Sequence, residues 1–345
     1  MVASVRIRFV TSTPLDISRG SGTYVGMHVL ARALRALGHT VEFAAPSLHL
    51  PVYTAERLLF NHQLRREPEF DVSVGFDMDG YRIADVAALK GVIADEVRFE
   101  AGLTRFTMGI QARCERLHVQ RARRVLTTSR YSAERAREFY ALAELPAIVP
   151  ELIDLAEWRT ALKRNPATAD RFTVLFAGRL YRRKRVDVLL WAASFLQNEI
   201  PGLEVRIVGG GPCAEALHAL SRSLHLERTV TWLGDVSRST LAAEYNRCHL
   251  FCLPSVQEGF GIVLLEAMAA GKPIVASRAA AIPEVAPHAL LVDPGNDSGL
   301  AGGIDLLYRS DGRRADQAAA GARWVEQFDA ARVAGLFLEA IGGES

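Results

Sequence analysis

The sequence predicts an α/β protein made of two Rossmann-like, doubly wound domains, each a parallel sheet with helices on both faces. Three observations carry that expectation. Short apolar strand patterns alternate with helical patterns along the chain, the signature of successive βαβ units. The series stops in a stretch of weak periodicity and mixed charge between Pro150 and Asp170, then starts again. At 345 residues the chain exceeds one typical core and divides into two domains of roughly 150 to 190 residues each. The expected boundaries are an N-terminal domain over 1–155, a linker over 156–170, a C-terminal domain over 171–325 and a closing segment over 326–345.

Composition narrows the classes. With 49% apolar and 23% charged residues the chain reads as an ordinary globular enzyme, and a formal net charge of +2 gives no overall field toward nucleic acid. Cys114, Cys213, Cys248 and Cys252 form no metal or redox spacing. Cys248 and Cys252, four apart where a helix passes into a strand, read as buried free thiols in a reducing cytoplasm. No apolar run approaches the roughly 20 residues of a membrane span. A strand pattern begins at once, with no room for a signal peptide, so a cytoplasmic protein is expected.

In chain order, Val5, Ile7 and Phe9 alternate with Arg6 and Arg8 as the first strand. A glycine loop, Ser18 to Thr23, leads into a helical pattern through Val29, Leu30, Ala33, Leu34 and Leu37 that ends at Gly38, and a strand follows at Val41–Ala44. Gly20, Gly22 and Gly26 have the spacing of a dinucleotide fingerprint, but about ten residues separate Phe9 from Gly20, where a redox Rossmann loop places its first glycine directly after the strand. Further strands are expected at Val72–Val74, Gly91–Ala94 and Val125–Thr128. Asp77-Met78-Asp79 has the form of a metal-diphosphate bridge, or of a turn whose aspartates bond their own backbone. From Arg105 to Arg137 nine arginines face two glutamates, a local excess of +7. Such a face is solvated, or it contacts anionic lipid or an anionic acceptor.

The second series has strands at Phe172–Phe176, Val205–Val208, Val230–Leu233, Leu250–Leu253 and Pro273–Ala276, with a helix at Val186–Phe195 and another opening after Gly209-Gly210-Gly211-Pro212. The loop after Phe176 holds Arg179, Arg182, Arg183, Lys184 and Arg185 with no acid among them. A guanidinium fork and an ammonium five residues apart, Arg179 and Lys184, suit the two phosphates of a diphosphate, and the other basic residues are expected to face water. The stretch Glu258-Gly259-Phe260-Gly261 turns tightly into a helix from Ile262 to Ala270, stopped by Gly271 and Pro273. The first turn of that helix offers backbone N–H groups to an anion, while Glu258 and Glu266 stand ready to accept from hydroxyls. A ligand that is part phosphate and part polyol, such as a nucleotide sugar, fits. On its own the stretch is equally a helix start with acids that complement the dipole.

Taken together, Gly178-Arg179-Leu180 with Lys184, the Gly209–Pro212 loop, Leu233-Gly234-Asp235-Val236, Tyr245, Pro254-Ser255 and the two glutamates resemble the GT-B retaining glycosyltransferases of family 4, the glycosyl transferases group 1. The resemblance spans the second half almost end to end. In the first half it rests on Gly20 to Gly22, Thr127-Thr128-Ser129 and Pro150 to Asp154, and the close of the chain, Trp324 to Phe337, is similar to the family's last helices, which return to the first domain. It implies that Arg179 and Lys184 bind the donor diphosphate with help from backbone N–H groups at Gly259, Phe260, Gly261, Ile262 and Val263. Glu266 would accept from the ribose and Glu258 from the transferred sugar. Gly178 and Gly209 would shape the site, Asp235 and Val236 would border the base, and Gly22 would approach the phosphates from the first domain. Transfer to an acceptor hydroxyl of a glycan, lipid or small molecule would keep the anomeric configuration, with neither metal nor cofactor.

The first half departs from the pattern. Relatives often carry a histidine after the strand expected at Gly91–Ala94, and here Asp95 and Glu96 stand there. Asp95 could touch an acceptor hydroxyl or take its proton, or merely cap the next helix. Pro150-Glu151-Leu152-Ile153-Asp154 lacks the family's Asn-Gly turn, and His28 and His118 read as ordinary helix residues. Two other readings of the same architecture are a sugar-nucleotide epimerase or phosphorylase and a non-catalytic nucleotide-sugar sensor.

Overall fold

The computed structural model describes residues 4–13, 22–47, 50 and 52–342. The glycine loop from Ser18 to Ser21 lies outside the described residues, whereas Gly22 opens the first helix. The chain forms two compact units, one of residues up to Leu152 together with those from Phe328 onward, the other Ile153–Gln327.

The first unit runs β1 (Arg6–Val10), α1 (Gly22–Ala36), β2 (Thr40–Ala44), α2 (Tyr53–Gln63), β3 (Val72–Phe76), β4 (Val86–Leu89), α3 (Ile93–Glu96), α4 (Gly102–Arg121), β5 (Arg124–Thr127), α5 (Arg130–Tyr140) and β6 (Ala147–Ile148). Its strands pair in parallel in the order β2-β1-β3-β4-β5-β6. The second unit runs α6 (Leu155–Arg164), β7 (Thr173–Ala177), α7 (Val186–Leu196), β8 (Glu204–Val208), α8 (Ala214–Ser223), β9 (Val230–Gly234), α9 (Arg238–Arg247), β10 (Leu250–Leu253), α10 (Ile262–Ala269), β11 (Ile274–Ser277), α11 (Ile282–Val285), β12 (Leu290–Val292), α12 (Asp297–Tyr308) and α13 (Asp311–Trp324). Its parallel order is β12-β11-β10-β7-β8-β9. Helix α14 (Ala330–Ile341) then completes the first unit.

Each sheet is buried by helices on both faces, which is why its central strands are continuous apolar runs. In the first unit Phe9 lies at the middle, edge-on to Phe76 at 5.0 Å and to Phe337 of α14 at 5.9 Å. In the second, all five residues of β7 are buried.

The structure corrects four local expectations. Arg8 is not on a water-facing side of β1: it is buried, and its guanidinium donates to the Arg65 carbonyl and the Glu67 carboxylate, each at 2.7 Å. The fourth strand is β4 at Val86–Leu89, not Gly91–Ala94, and Ile93–Glu96 forms α3 instead. Most of the stretch read as a linker over 156–170 is helix α6, capped by Asp154, whose carboxylate accepts from the Glu157 N–H at 2.7 Å. Finally, His118 is no ordinary surface position of its helix. It is buried, its Nδ1 donates to the Asp77 carbonyl at 2.7 Å, and burial lowers its pKa to about 4, so the ring stays neutral.

Candidate functional site

Sheet order places the site. The strand order of the second unit reverses between β7 and β10, and in open α/β sheets ligands bind beyond the C-terminal ends of strands at such a switch point. The loops that follow β7 and β10 carry Gly178 to Arg185 and Pro254 to Gly261. The residues picked from the sequence therefore lie where the topology directs a ligand.

The three loops after β7, β8 and β9 are stitched together by backbone. Gly178 N–H donates to Val208 C=O at 3.0 Å, Leu180 N–H to Gly210 C=O at 3.0 Å, and Gly209 N–H to Gly234 C=O at 2.7 Å. Gly209 sits at φ +116°, and a Cβ there would come within 2.1 Å of the Gly178 carbonyl oxygen. Only glycine allows that approach. Asp235 closes the arrangement by accepting from the Gly210 N–H at 2.9 Å. Its other oxygen lies 3.5 Å from Arg179, a half-exposed pair that water screens and a ligand can displace readily. Val236, beside it, is partly exposed in the short turn before α9.

Lys184 and Glu258 are brought together as an ion pair of 2.6 Å, with side chains 13% and 5% exposed. Arg183 stands 3.9 Å from the same carboxylate and donates to the Gln257 carbonyl at 3.2 Å, so it does not face water as expected of it. Nor does Arg185, half-buried and bound to Asp187 at 2.9 Å. Burial alone would raise the Glu258 pKa, but the charges of Lys184 and Arg183 outweigh it and hold the carboxyl below its ordinary value. Glu258 is thus a fixed anion. Gly259 and Phe260 follow it, and Gly261, the N-cap of α10, has no side chain to cap the helix, so the first turn at Ile262 and Val263 keeps the positive end of its dipole open to an anion.

Glu266 lies in the second turn of α10, buried, and burial pushes its pKa up to about 7 against the pull of Arg238. Tyr245 of α9 places its hydroxyl 3.2 Å from Glu266 Oε2 and 3.1 Å from the Val263 carbonyl. Trp158 of α6 donates its indole N–H to the Glu266 carbonyl at 3.1 Å and packs edge-on to Tyr245. Sequence reasoning missed Trp158 because it treated its segment as linker. The signal was there: Asp154 with Glu157 three residues on, ahead of apolar positions, is a helix-start pattern.

Comparison with known proteins follows the same lines. Residues 159–324 match the family described as Glycosyl transferases group 1. The second unit is a group 1 glycosyltransferase domain. The chain is similar to a D-inositol 3-phosphate glycosyltransferase of Pseudarthrobacter chlorophenolicus, 31% identical over 231 residues that cover 63% of this chain and 55% of that protein. It is also similar to a GDP-mannose-dependent alpha-(1-6)-phosphatidylinositol monomannoside mannosyltransferase of Mycobacterium tuberculosis, 32% identical over 177 residues, 48% of this chain and 46% of that one. The chain thus spans about half the length of the relatives it matches. Over nearly the whole chain the fold is GT-B. The sucrose-phosphate synthase of Thermosynechococcus elongatus superimposes with a TM-score of 0.80 at 19% identity, covering 97% of this chain and 98% of that one.

Outside the glycosyltransferase domain, Asp95 is wholly buried in α3. It accepts from the Tyr131 hydroxyl at 2.7 Å and from Arg98 at 3.1 Å, and the N-cap of its helix is Val92, so the capping alternative fails. Asp79 accepts from the Ser12 N–H and hydroxyl, each at 2.7 Å, and pairs with Arg57 at 3.0 Å, while Asp77 accepts from the Lys90 N–H at 2.8 Å. Both aspartates are engaged with protein, and the turn reading describes them. No group of three or more His, Cys, Asp or Glu side chains able to hold a metal occurs among the described residues. All four cysteines are free thiols, and Cys248 and Cys252 are buried.

Proposed function

We propose that the protein is a retaining glycosyltransferase that moves a sugar from a nucleoside-diphosphate donor to an acceptor hydroxyl without a metal ion. The observation that carries this reading is the meeting of Arg179, Lys184, Glu258, the start of α10 and Glu266 at the β7/β10 switch point. A diphosphate in that place would draw Lys184 from Glu258 and Arg179 from Asp235. Two cationic side chains and a helix end would then stabilise the charge that develops on the departing diphosphate, the task a divalent cation performs elsewhere. Glu258, freed of its partner, would accept from hydroxyls of the transferred sugar, and Glu266 from the ribose. The names of the similar proteins point to an inositol phosphate and a phosphatidylinositol mannoside as acceptors, so a phosphorylated polyol, free or lipid-linked, is the acceptor class proposed.

A lipid-linked acceptor is supported by helix α4. Leu103, Phe106 and Leu117 are exposed on its outward stripe, at 76%, 67% and 44%, together with exposed Arg113 and Arg116. Glu115, one of the two acids counted against the Arg105–Arg137 region, is buried and bonded to Tyr140, so it does not dilute the positive face. Such a face suits peripheral contact with anionic lipid. No helix among the described residues is long and apolar enough to cross a membrane.

The test is a thermal-shift panel of UDP-, GDP- and ADP-sugars followed by product analysis, since a ligand that binds the native state raises apparent stability. Nucleoside diphosphate released only when acceptor is present supports transfer. An isomerised donor would replace transfer by epimerisation, and binding without turnover would leave a sensor. Chelator should leave turnover intact; strict dependence on added cation would sink the metal-free part. Binding to phosphatidylglycerol vesicles but not to neutral ones, reduced in Phe106→Asp, is expected of the lipid-facing helix, and equal binding to both vesicles would refute it.

A further inference from the structure

The Tyr245 hydroxyl has one proton and two acceptors around it. The Val263 carbonyl, at 3.1 Å, can only accept, and Glu266 Oε2 lies on the other side at 3.2 Å. If Tyr245 donates to Val263, its oxygen can only accept at the other contact, so the proton between Tyr245 and Glu266 must belong to Glu266. An ionised Glu266 would compete with Val263 for the single hydroxyl proton and leave one buried acceptor without a donor. The surroundings do little to favour the anion. Arg238 of α9 is the charged group that acts on Glu266, but it stacks over Trp158 at 5.0 Å and points its Nε to Glu157 of α6 at 3.4 Å. Helix α13 meets α10 at Met268 through Gly321, which brings no charge.

We propose that Tyr245 is a positioning residue that holds Glu266 as the protonated acid, and that Glu266 gives its proton to solvent when ribose hydroxyls donate to it. The inference rests on the donor-site reading above. Tyr245 keeps the carboxyl aimed by donating to Val263 and accepting from Glu266. Two hydroxyl donors from a ribose reverse the preference, because a carboxylate accepts from both whereas the acid offers one fewer lone pair. The Oε2–H bond breaks, the proton passes to buffer, and the electron pair stays on the carboxylate that the ribose then bonds. Donor affinity and pH are therefore coupled through a group whose pKa lies at about 7 in the protein alone. Donor binding should weaken about tenfold between pH 8 and pH 6.

Isothermal titration calorimetry of the full chain with UDP-glucose, GDP-mannose and ADP-glucose, in two buffers of different ionisation enthalpy from pH 6 to pH 8, counts the protons. The expected result is release approaching one proton per bound donor at pH 6 and near none at pH 8. Glu266→Gln should abolish release and flatten the pH dependence. In Tyr245→Phe, which keeps the ring against Trp158, the midpoint of release should fall, because the acid form loses its acceptor; a structural role alone would change affinity at every pH alike. A midpoint that rises in Tyr245→Phe would show the hydroxyl donating to an ionised Glu266 and overturn the inference, as would tight binding with no proton release. If Tyr245→Phe does not fold, the wild-type proton count and Glu266→Gln decide. Failure of all three donors to bind at any pH is a different result: it overturns the donor reading and this inference with it.

Discussion

A lysine ammonium and a carboxylate 2.6 Å apart and almost wholly out of water, as Lys184 and Glu258 are, hold each other's charge in place. Removing one partner strands the other. Lys184→Met should cost about 3 kcal/mol, the low end for a broken buried pair because Arg183 still faces the carboxylate. The double variant Lys184→Met, Glu258→Gln should recover most of that stability without recovering donor affinity. Denaturant titration and calorimetry check both halves, and a double variant as unstable as the single one would argue against the pair. Since Glu258 is held below its ordinary pKa, its stabilisation is present above the unfolded value of about 4.3 and is lost as pH falls through the lower folded one. The acid limb of the wild-type stability profile should accordingly flatten in Glu258→Gln. At this scale the sequence was informative where chemistry is local. The basic run and the glutamate pair are legible as residue types, but that Lys184 and Glu258 meet, or that Arg183 turns inward, depends on loops 74 residues apart in the chain.

Among elements, the glycine-stitched loops behind β7, β8 and β9 are the part least tolerant of change. Gly209→Ala would force a Cβ against the Gly178 carbonyl, whereas Gly271, at φ +63°, has no atom within 4 Å of such a Cβ. Gly271→Ala should cost about 1 kcal/mol from backbone strain alone, and Gly209→Ala several times more, with loss of donor binding as the loops part. Thermal unfolding of the two variants side by side checks the contrast; equal losses would mean that the loops relax freely. Helices and strands were mostly legible because apolar period and glycine stops agree. The exceptions have physical causes. Val86-Ala87-Ala88-Leu89 is poor in β-branched residues and is a strand because β3 and β5 flank it, a tertiary effect that outweighs propensity. Ile93–Glu96 is more strand-like in composition, yet Ile93 N–H bonds the Glu115 carboxylate at 2.8 Å and Ala94 N–H the Tyr140 hydroxyl at 3.2 Å, which fixes it as a helical turn.

At the scale of the whole molecule, two βαβ series are plain in the sequence, but the membership of each unit is not. Helix α14 belongs with residues more than 300 positions earlier: Val333, Ala334 and Phe337 join Phe9, Leu30 and Leu34 in one core. Phe337→Ala should cost roughly 3–5 kcal/mol, and the loss should fall on the first unit. Hydrogen exchange resolved by segment would show it as faster exchange in β1 and β3 with the strands of the second unit unchanged, and a loss shared equally by both units would contradict the assignment.

The return of α14 also sets an order of events during synthesis. The 153–327 unit is contiguous and can close as soon as its last residues leave the ribosome, but the first unit, although translated first, lacks one wall of its core until α14 emerges. The donor-side unit is therefore expected to be native while its neighbour still exposes Phe9 and Leu34, so the nascent chain's need for a chaperone falls on the half that was made earliest.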